Sequence, residues 1–197
     1  MEHGRLPWWR PEELSAEQRD FYDKIAKSPR ANAKRPTPLV DAEGRFNGPF
    51  NAMLTNPALS DAVQAVGTAV RFSGKVPRSV FEAIVLMVSV ERKASYEWYA
   101  HAPIALREGL EEAHLSAILE RRDSDLESAL HPALIELVRA TIAHVQPSEE
   151  TVRAVEAIYG PDGVTEIVIA VAFYDMIATL IRTWDSPLPE GAEDPLA

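Results

Sequence analysis

The sequence predicts an all-α protein, and three observations carry that prediction. Apolar residues recur at spacings of three and four along most of the chain. Helix-start signals recur along the chain, as at Ser15, Asn56 and Pro77. No run alternates polar and apolar residues in the manner of a half-buried strand.

Ser15 and Gln18 form a capping-box pattern, and Phe21, Tyr22 and Ile25 follow on one face, which predicts a helix over about 15 to 27. Residues 28 to 50 hold prolines and glycines that forbid a regular element over most of their length, so a long loop is expected there, functional or interfacial. Asn56-Pro57 reads as N-cap and N1, and Leu59, Val63, Val66 and Val70 carry a helix to about Phe72. Pro77 starts another. Later helices are expected from Glu111 to about Glu120, from Asp125 or His131 to Val145, and from Ser148 to Tyr159. The Gly160-Pro161 pair reads as a stop followed by a start, with the last helix ending near Thr183. An echo between "EAIVLMVSV" from Glu82 and "EIVIAVAFY" from Glu166 suits either two related helical halves or two core helices of similar composition.

Composition narrows the function classes. Of the 197 residues, 46% are hydrophobic and 25% charged, which suits one folded domain and argues against disorder or a fibrous repeat. The net charge of -10 opposes non-specific binding to nucleic acid or to anionic membranes. The N-terminus lacks the basic-then-apolar pattern of a secretory signal, so a cytoplasmic location is expected. Val164 to Ile181 is the longest apolar run, and because it carries Glu166 and Asp175 it reads as a buried helix rather than a membrane span. The chain has no cysteine, which excludes disulfides, thiolate metal sites and thiol nucleophiles of its own.

The chemistry concentrates in "ASYEWYAHAP", residues 94 to 103. On a helix, Glu97 and His101 lie four residues apart and touch, and a carboxylate beside an imidazole favours the protonated ring. Such a histidine donates a proton or holds an anion near neutral pH. Glu82, set among Phe81, Ile84, Val85 and Leu86, is expected to be at least partly buried and so to need a partner. In one straight helix Glu82 and His101 would stand roughly 28 Å apart. If the helix breaks near "ERKAS", with Ser95 capping a second helix, they face one another across an antiparallel hairpin. The same residues also fit blander roles: a hydrogen-bonded helix pair for Glu97 and His101, and an ion pair with Arg92 or another arginine for Glu82. A metal site of Glu82, Glu97 and His101 is short of a second nearby histidine, and no metal or organic cofactor is expected. His3, His114, His131 and His144 are scattered and read as surface or capping residues, and Asp175 as a partner for a buried arginine or tyrosine or a pocket-lining group.

The pattern "GRFNGPFNAML", then "PRSVFEAIVLMVSV", then "YEWYAHAPIALREGL" resembles the carboxymuconolactone decarboxylase and AhpD-like alkylhydroperoxidase superfamily over roughly residues 44 to 185. The resemblance implies an AhpD-like helical fold with a central antiparallel helical hairpin, over about 77 to 110. It implies an arm at 1–50, a helical domain at 51–185 and a tail at 186–197. In the peroxidase branch a glutamate precedes a Cys-x-x-Cys-x-x-x-His motif. Aligned on Glu82 and His101, the two thiol positions fall on Ala94 and Glu97, so thiol peroxidase activity is not expected. The decarboxylase-like branch is the nearer likeness, and its named reaction removes carbon dioxide from a carboxylated butenolide in aromatic catabolism without a cofactor. On this likeness His101 delivers the proton or stabilises an oxyanion, Glu97 tunes it, and Glu82 serves a proton relay or contacts water. Tyr96, Trp98 and Tyr99 are expected to wall the site, with Arg71 or Arg45 clamping a carboxylate. The expected partners are a small organic acid or lactone and further copies of the chain, as a trimer or hexamer. Two alternatives use the same residues: a cofactor-free lactone hydrolase or isomerase, and a non-catalytic oligomer whose pocket around His101 is closed or apolar.

Overall fold

A computed structural model describes residues 2–28, 38–72 and 74–197. The described residues form eight helices: α1 (Ala16–Ala26), α2 (Pro49–Met53), α3 (Pro57–Phe72), α4 (Arg78–Arg92), α5 (Ser95–Arg107), α6 (Glu112–Leu119), α7 (Pro132–Ile142) and α8 (Glu149–Trp184). The fold is all-α. Among the described residues the β-structure consists of an antiparallel ribbon pairing Glu2–His3 with Leu6–Pro7, and a single bridge between Val40 and Phe46.

α4 is the axis of the fold. Its residues from Val80 to Val90 are buried without interruption, as expected of a helix that is apolar on every side. α5, α6, α7 and α8 pack around it. This explains why a carboxylate on α4 finds its partners inside the protein rather than in water.

The break between α4 and α5 lies where the hairpin reading requires it, but its chemistry differs from expectation. Ser95 is the first residue of α5 rather than its cap, and Ala94 holds the N-cap position with no side-chain hydrogen bond. α4 ends instead on left-handed Lys93 (φ 51°), with the Ala94 N–H donating to the Ser89 carbonyl at 2.8 Å. This is a Schellman-type end, and it reverses the chain within two residues.

The other ends follow their signals more closely. Ser15 and Gln18 make both bonds of the capping box. The Asn56 side chain accepts from the Leu59 N–H at 3.3 Å, and the His131 and Ser148 side chains cap α7 and α8. A short 3-10 turn at Asp123–Leu126 precedes α7, which therefore starts at the His131 cap and not at Asp125. The two helices expected around Gly160 are the two arms of one kinked helix, α8. Gly160 has φ 74° and ψ 171°, which a side chain would resist, and Pro161 resumes the helix.

Part of the expected loop at 28 to 50, residues 29–37, lies outside the described residues. Its end holds α2, all five residues of which are buried. The signal was Gly48-Pro49, a glycine followed by a proline at N1. α8 is long and apolar enough to cross a membrane by length and composition. In the fold it packs against α4 and α7, and its Asp175 pairs with Arg92 of α4.

Candidate functional site

α4 supplies Glu82, α5 supplies Glu97 and His101, α3 supplies Arg71, and α8 supplies Tyr174. The hairpin brings Glu82 and His101 together although 19 residues separate them: Nδ1 of His101 lies 2.6 Å from Glu82 Oε2. The Glu82 side chain is completely buried. Its other oxygen stands 2.5 Å from an Arg78 nitrogen, an ionic contact without a well-aligned hydrogen bond. Arg78 sits one helical turn before Glu82 on α4, and that spacing of four is the signal by which the sequence reading could have found it. Glu82 thus pairs with Arg78 and His101, not with Arg92.

The opposite edge of the ring faces a recess. His101 Nε2 is 3.3 Å from Glu97 Oε2 and 3.3 Å from Arg71 Nη2. Arg71 Nε donates to the Tyr174 hydroxyl at 2.7 Å, and the Tyr174 ring stands edge-on to the imidazole, 5.2 Å between centroids. The recess is lined by Arg71, Glu97 and His101 together with Gln64, Tyr96, Ala100 and apolar groups from α2 and α8. Its volume is about 30 Å³, against roughly 300–1,000 Å³ for a typical ligand pocket. Glu82 lies behind the imidazole and does not line it.

Electrostatics fixes the protonation pattern. Burial acts against the charged form of His101, and the Glu82 and Glu97 carboxylates outweigh it, so the ring is held above the ordinary histidine value. Burial acts likewise against the Glu82 anion, and His101, Arg78 and Arg71 outweigh it, so Glu82 is held below the ordinary carboxylate value. Burial pushes the Tyr174 hydroxyl up to about 12, which keeps it neutral at physiological pH. Both carboxylates thus favour the imidazolium form, in which Nδ1–H is donated to Glu82 and Nε2–H is directed toward Glu97. In the deprotonated state Nε2 becomes an acceptor, and Arg71, already within 3.3 Å, is the donor placed to satisfy it.

The structure places the remaining residues as follows. Tyr96 lines the recess. Trp98, on the same helix, is buried in the hydrophobic core and is not among the lining residues. Arg45 pairs with Asp41 and Glu43 and lies over the Trp8 ring, away from the recess. His3 is a correction to the surface reading: it is buried, stacked on Trp8, and accepts the Gly48 N–H at 3.1 Å. Burial lowers its pKa to about 4. Sequence reasoning missed Tyr174, one polar atom in a long apolar run, and Gln64, a polar residue on the inner side of α3. Among the described residues no group of three or more His, Asp and Glu side chains is arranged to hold a metal ion. The ring nitrogens of His101 point to different carboxylates, so the trio does not converge on one point.

Compared with protein-family models and with curated proteins, the chain matches none.

Proposed function

We propose that this chain is a carboxymuconolactone decarboxylase-like enzyme: a cofactor-independent acid/base catalyst that releases carbon dioxide from a small carboxylated lactone or related organic acid. The observation that supports this reading is an imidazole clamped between two carboxylates, with its outer nitrogen and an arginine turned to the same recess. Counting Arg71, Arg78 and His101 against Glu82 and Glu97, the cluster carries one positive charge more than it neutralises. A bound carboxylate balances it.

In this mechanism Arg71 holds the anionic substrate. The bond from carbon to the leaving carboxylate breaks, carbon dioxide departs, and the electron pair passes into the conjugated carbonyl. His101 Nε2 gives its proton to the resulting carbanion equivalent, and the neutral ring then accepts from Arg71. Water returns the proton. Glu82 stays ionised throughout and holds the ring's orientation, and Glu97 keeps the imidazolium favourable before transfer.

The small volume of the recess is the observation that favours the non-catalytic alternative, and turnover requires the recess to widen. A lactone hydrolase or isomerase would use the same His101 and differ in its product.

The deciding experiment measures carbon dioxide release from γ-carboxymuconolactone by the wild type and His101→Ala, with circular dichroism to check folding. Turnover that falls by about 10² or more in the variant supports the assignment. Conversion without carbon dioxide moves the reading to hydrolysis or isomerisation. If no substrate is turned over, and replacing Glu82, Glu97 and His101 together changes no property except stability, the non-catalytic reading stands.

We also propose that the chain self-associates through the outer face of α3 and the second arm of α8. Leu59, Val66 and Phe72 on α3 and Ile169 and Met176 on α8 are exposed. Asp61, the single acid on α3, pairs with Lys24, and Arg71 is turned to the recess. At its border Lys75 pairs with Asp162, and Glu166 accepts the Lys75 and Val76 N–H groups, so on a chain of net charge -10 this face suits a second copy better than an anionic membrane.

A further inference from the structure

Outside the turn between α4 and α5 lies a cleft of about 570 Å³, within the roughly 300–1,000 Å³ range of ligand pockets. Three parts of the chain wall it: the N-terminal ribbon through Arg5, the turn through Lys93 and Ser95, and the end of α8 with the tail that follows it through Arg182 and Leu188. Neither Arg71 nor His101 lines it, so it is a different place from the recess.

The cations of the cleft are largely uncommitted. Among the described residues the side chains of Lys93 and Arg182 make no hydrogen bond or ion pair. Arg5 gives one N–H to the Thr183 carbonyl at 3.2 Å, which holds it at the end of α8, and its other guanidinium N–H groups remain available. Two acids share the cleft, Asp185 and Asp194. Asp194 is turned to its own segment and accepts the Leu196 N–H at 2.9 Å. Three cations against two acids leave one positive charge, on a chain whose net charge of -10 repels anions elsewhere. Ser95 adds a hydroxyl, and the start of α5 has no side-chain cap, so the partial positive charge of the helix end lies at the same wall.

We infer that this cleft is a separate binding site for a small monocarboxylate with an apolar body. The carboxylate lies among Arg5, Lys93 and Arg182, and the body rests against Ile181, Leu188 and Leu196. One surplus charge matches one carboxylate, whereas a phosphate monoester brings about two negative charges. The site needs no chemistry in the recess and stands whether or not the recess is catalytic.

The test titrates isotope-labelled protein with benzoate at low salt and follows the backbone N–H signals of Ser95 and Leu188 by NMR. A saturable shift of both signals is expected in the wild type. Arg182→Gln and Lys93→Gln are each expected to weaken binding by about fivefold or more, and Arg153→Gln and Arg71→Met by less than about twofold. Arg153 is an exposed cation on the first arm of α8, so its variant controls for the loss of charge alone. No saturable shift, an equal loss in Arg153→Gln, or a loss confined to Arg71→Met overturns the site. Phenyl phosphate binding more tightly than benzoate overturns the assignment to a single charge. Lys93 holds the left-handed turn, so if its variant unfolds, Arg182→Gln at an exposed helical position decides. The readout is independent of turnover, so a failed decarboxylation assay and a failed carboxylate site remain distinct results.

Discussion

Replacing Glu82 by Gln keeps the shape of the side chain and removes its charge. The wild-type carboxylate takes the His101 Nδ1–H at 2.6 Å and pairs with Arg78 at 2.5 Å, wholly out of water. Removing one partner of a buried ion pair costs about 3–5 kcal/mol when the other charge is stranded. Here His101 relieves itself by losing its proton, and the partly exposed Arg78 reaches water. The cost therefore falls to about 1.5–3 kcal/mol, the worth of a hydrogen bond to a charged group. At about 2–4 °C per kcal/mol for a chain of this size, Tm drops by about 3–12 °C. The loss depends on pH in a defined way. Glu82, lowered from 4.5, contributes stability above that value and loses it as pH falls through its folded pKa. His101, raised from 6.5, contributes below that value and loses it as pH rises through its folded pKa. The gap between wild type and variant is thus widest from pH 4.5 to 6.5 and narrows on both sides. Thermal denaturation across pH measures the gap, and NMR of the imidazole measures the ring, whose titration moves down in the variant because burial loses its main opponent. A gap that is flat with pH, or a His101 titration that stays in place, refutes the coupling.

Arg71→Met should weaken binding of small carboxylates by about 10- to 100-fold, read by calorimetry, because it removes the cation at the recess while leaving the imidazole between its carboxylates. If the protein turns over a carboxylated lactone, the same variant raises KM more than it lowers kcat. Val66→Glu places a charge on the exposed face of α3 and should shift sedimentation velocity toward the monomer without a change in helix content. An unchanged sedimentation coefficient above that of the monomer would move the interface elsewhere.

Much of this was legible in the sequence, and the limits are physical. Capping signals located α1, α3, α7 and α8 because a side-chain oxygen or Pro at N1 acts within a single turn. The α4–α5 break entered the sequence reading as the condition under which Glu82 and His101 meet, while the turn itself, made by left-handed Lys93, carries no glycine or asparagine to announce it. α2 hid inside a proline-rich stretch, since five residues give too short a period to read. Glu97 and His101 were visible as an i, i+4 pair. Tyr174 and Gln64 were not, because whether a polar atom in an apolar helix faces solvent, core or recess is decided by neighbouring helices. Trp98 illustrates the converse: adjacent aromatics on α5 point in different directions, so Tyr96 faces the recess and Trp98 the core.

Glu97 bears on the chemistry more than its place in the chain suggests. On the resemblance to the AhpD-like superfamily it stands at one of two thiol positions, and the other is Ala94, fully buried at the turn. A thiol at position 97 would be a nucleophile and redox centre near His101. A carboxylate there can be neither, but it favours the protonated form of the imidazole. On that resemblance, the exchange would replace a site that moves electrons between sulfurs with one that can keep a proton ready for delivery. It also adds a negative charge to the recess, and Arg71 offsets that charge, so the two residues act as a matched pair. Under the proposed function a substrate carboxylate would compete with Glu97 for Arg71 and for the Nε2–H, so binding would loosen the proton from Glu97 at the same step that brings the acceptor carbon to it.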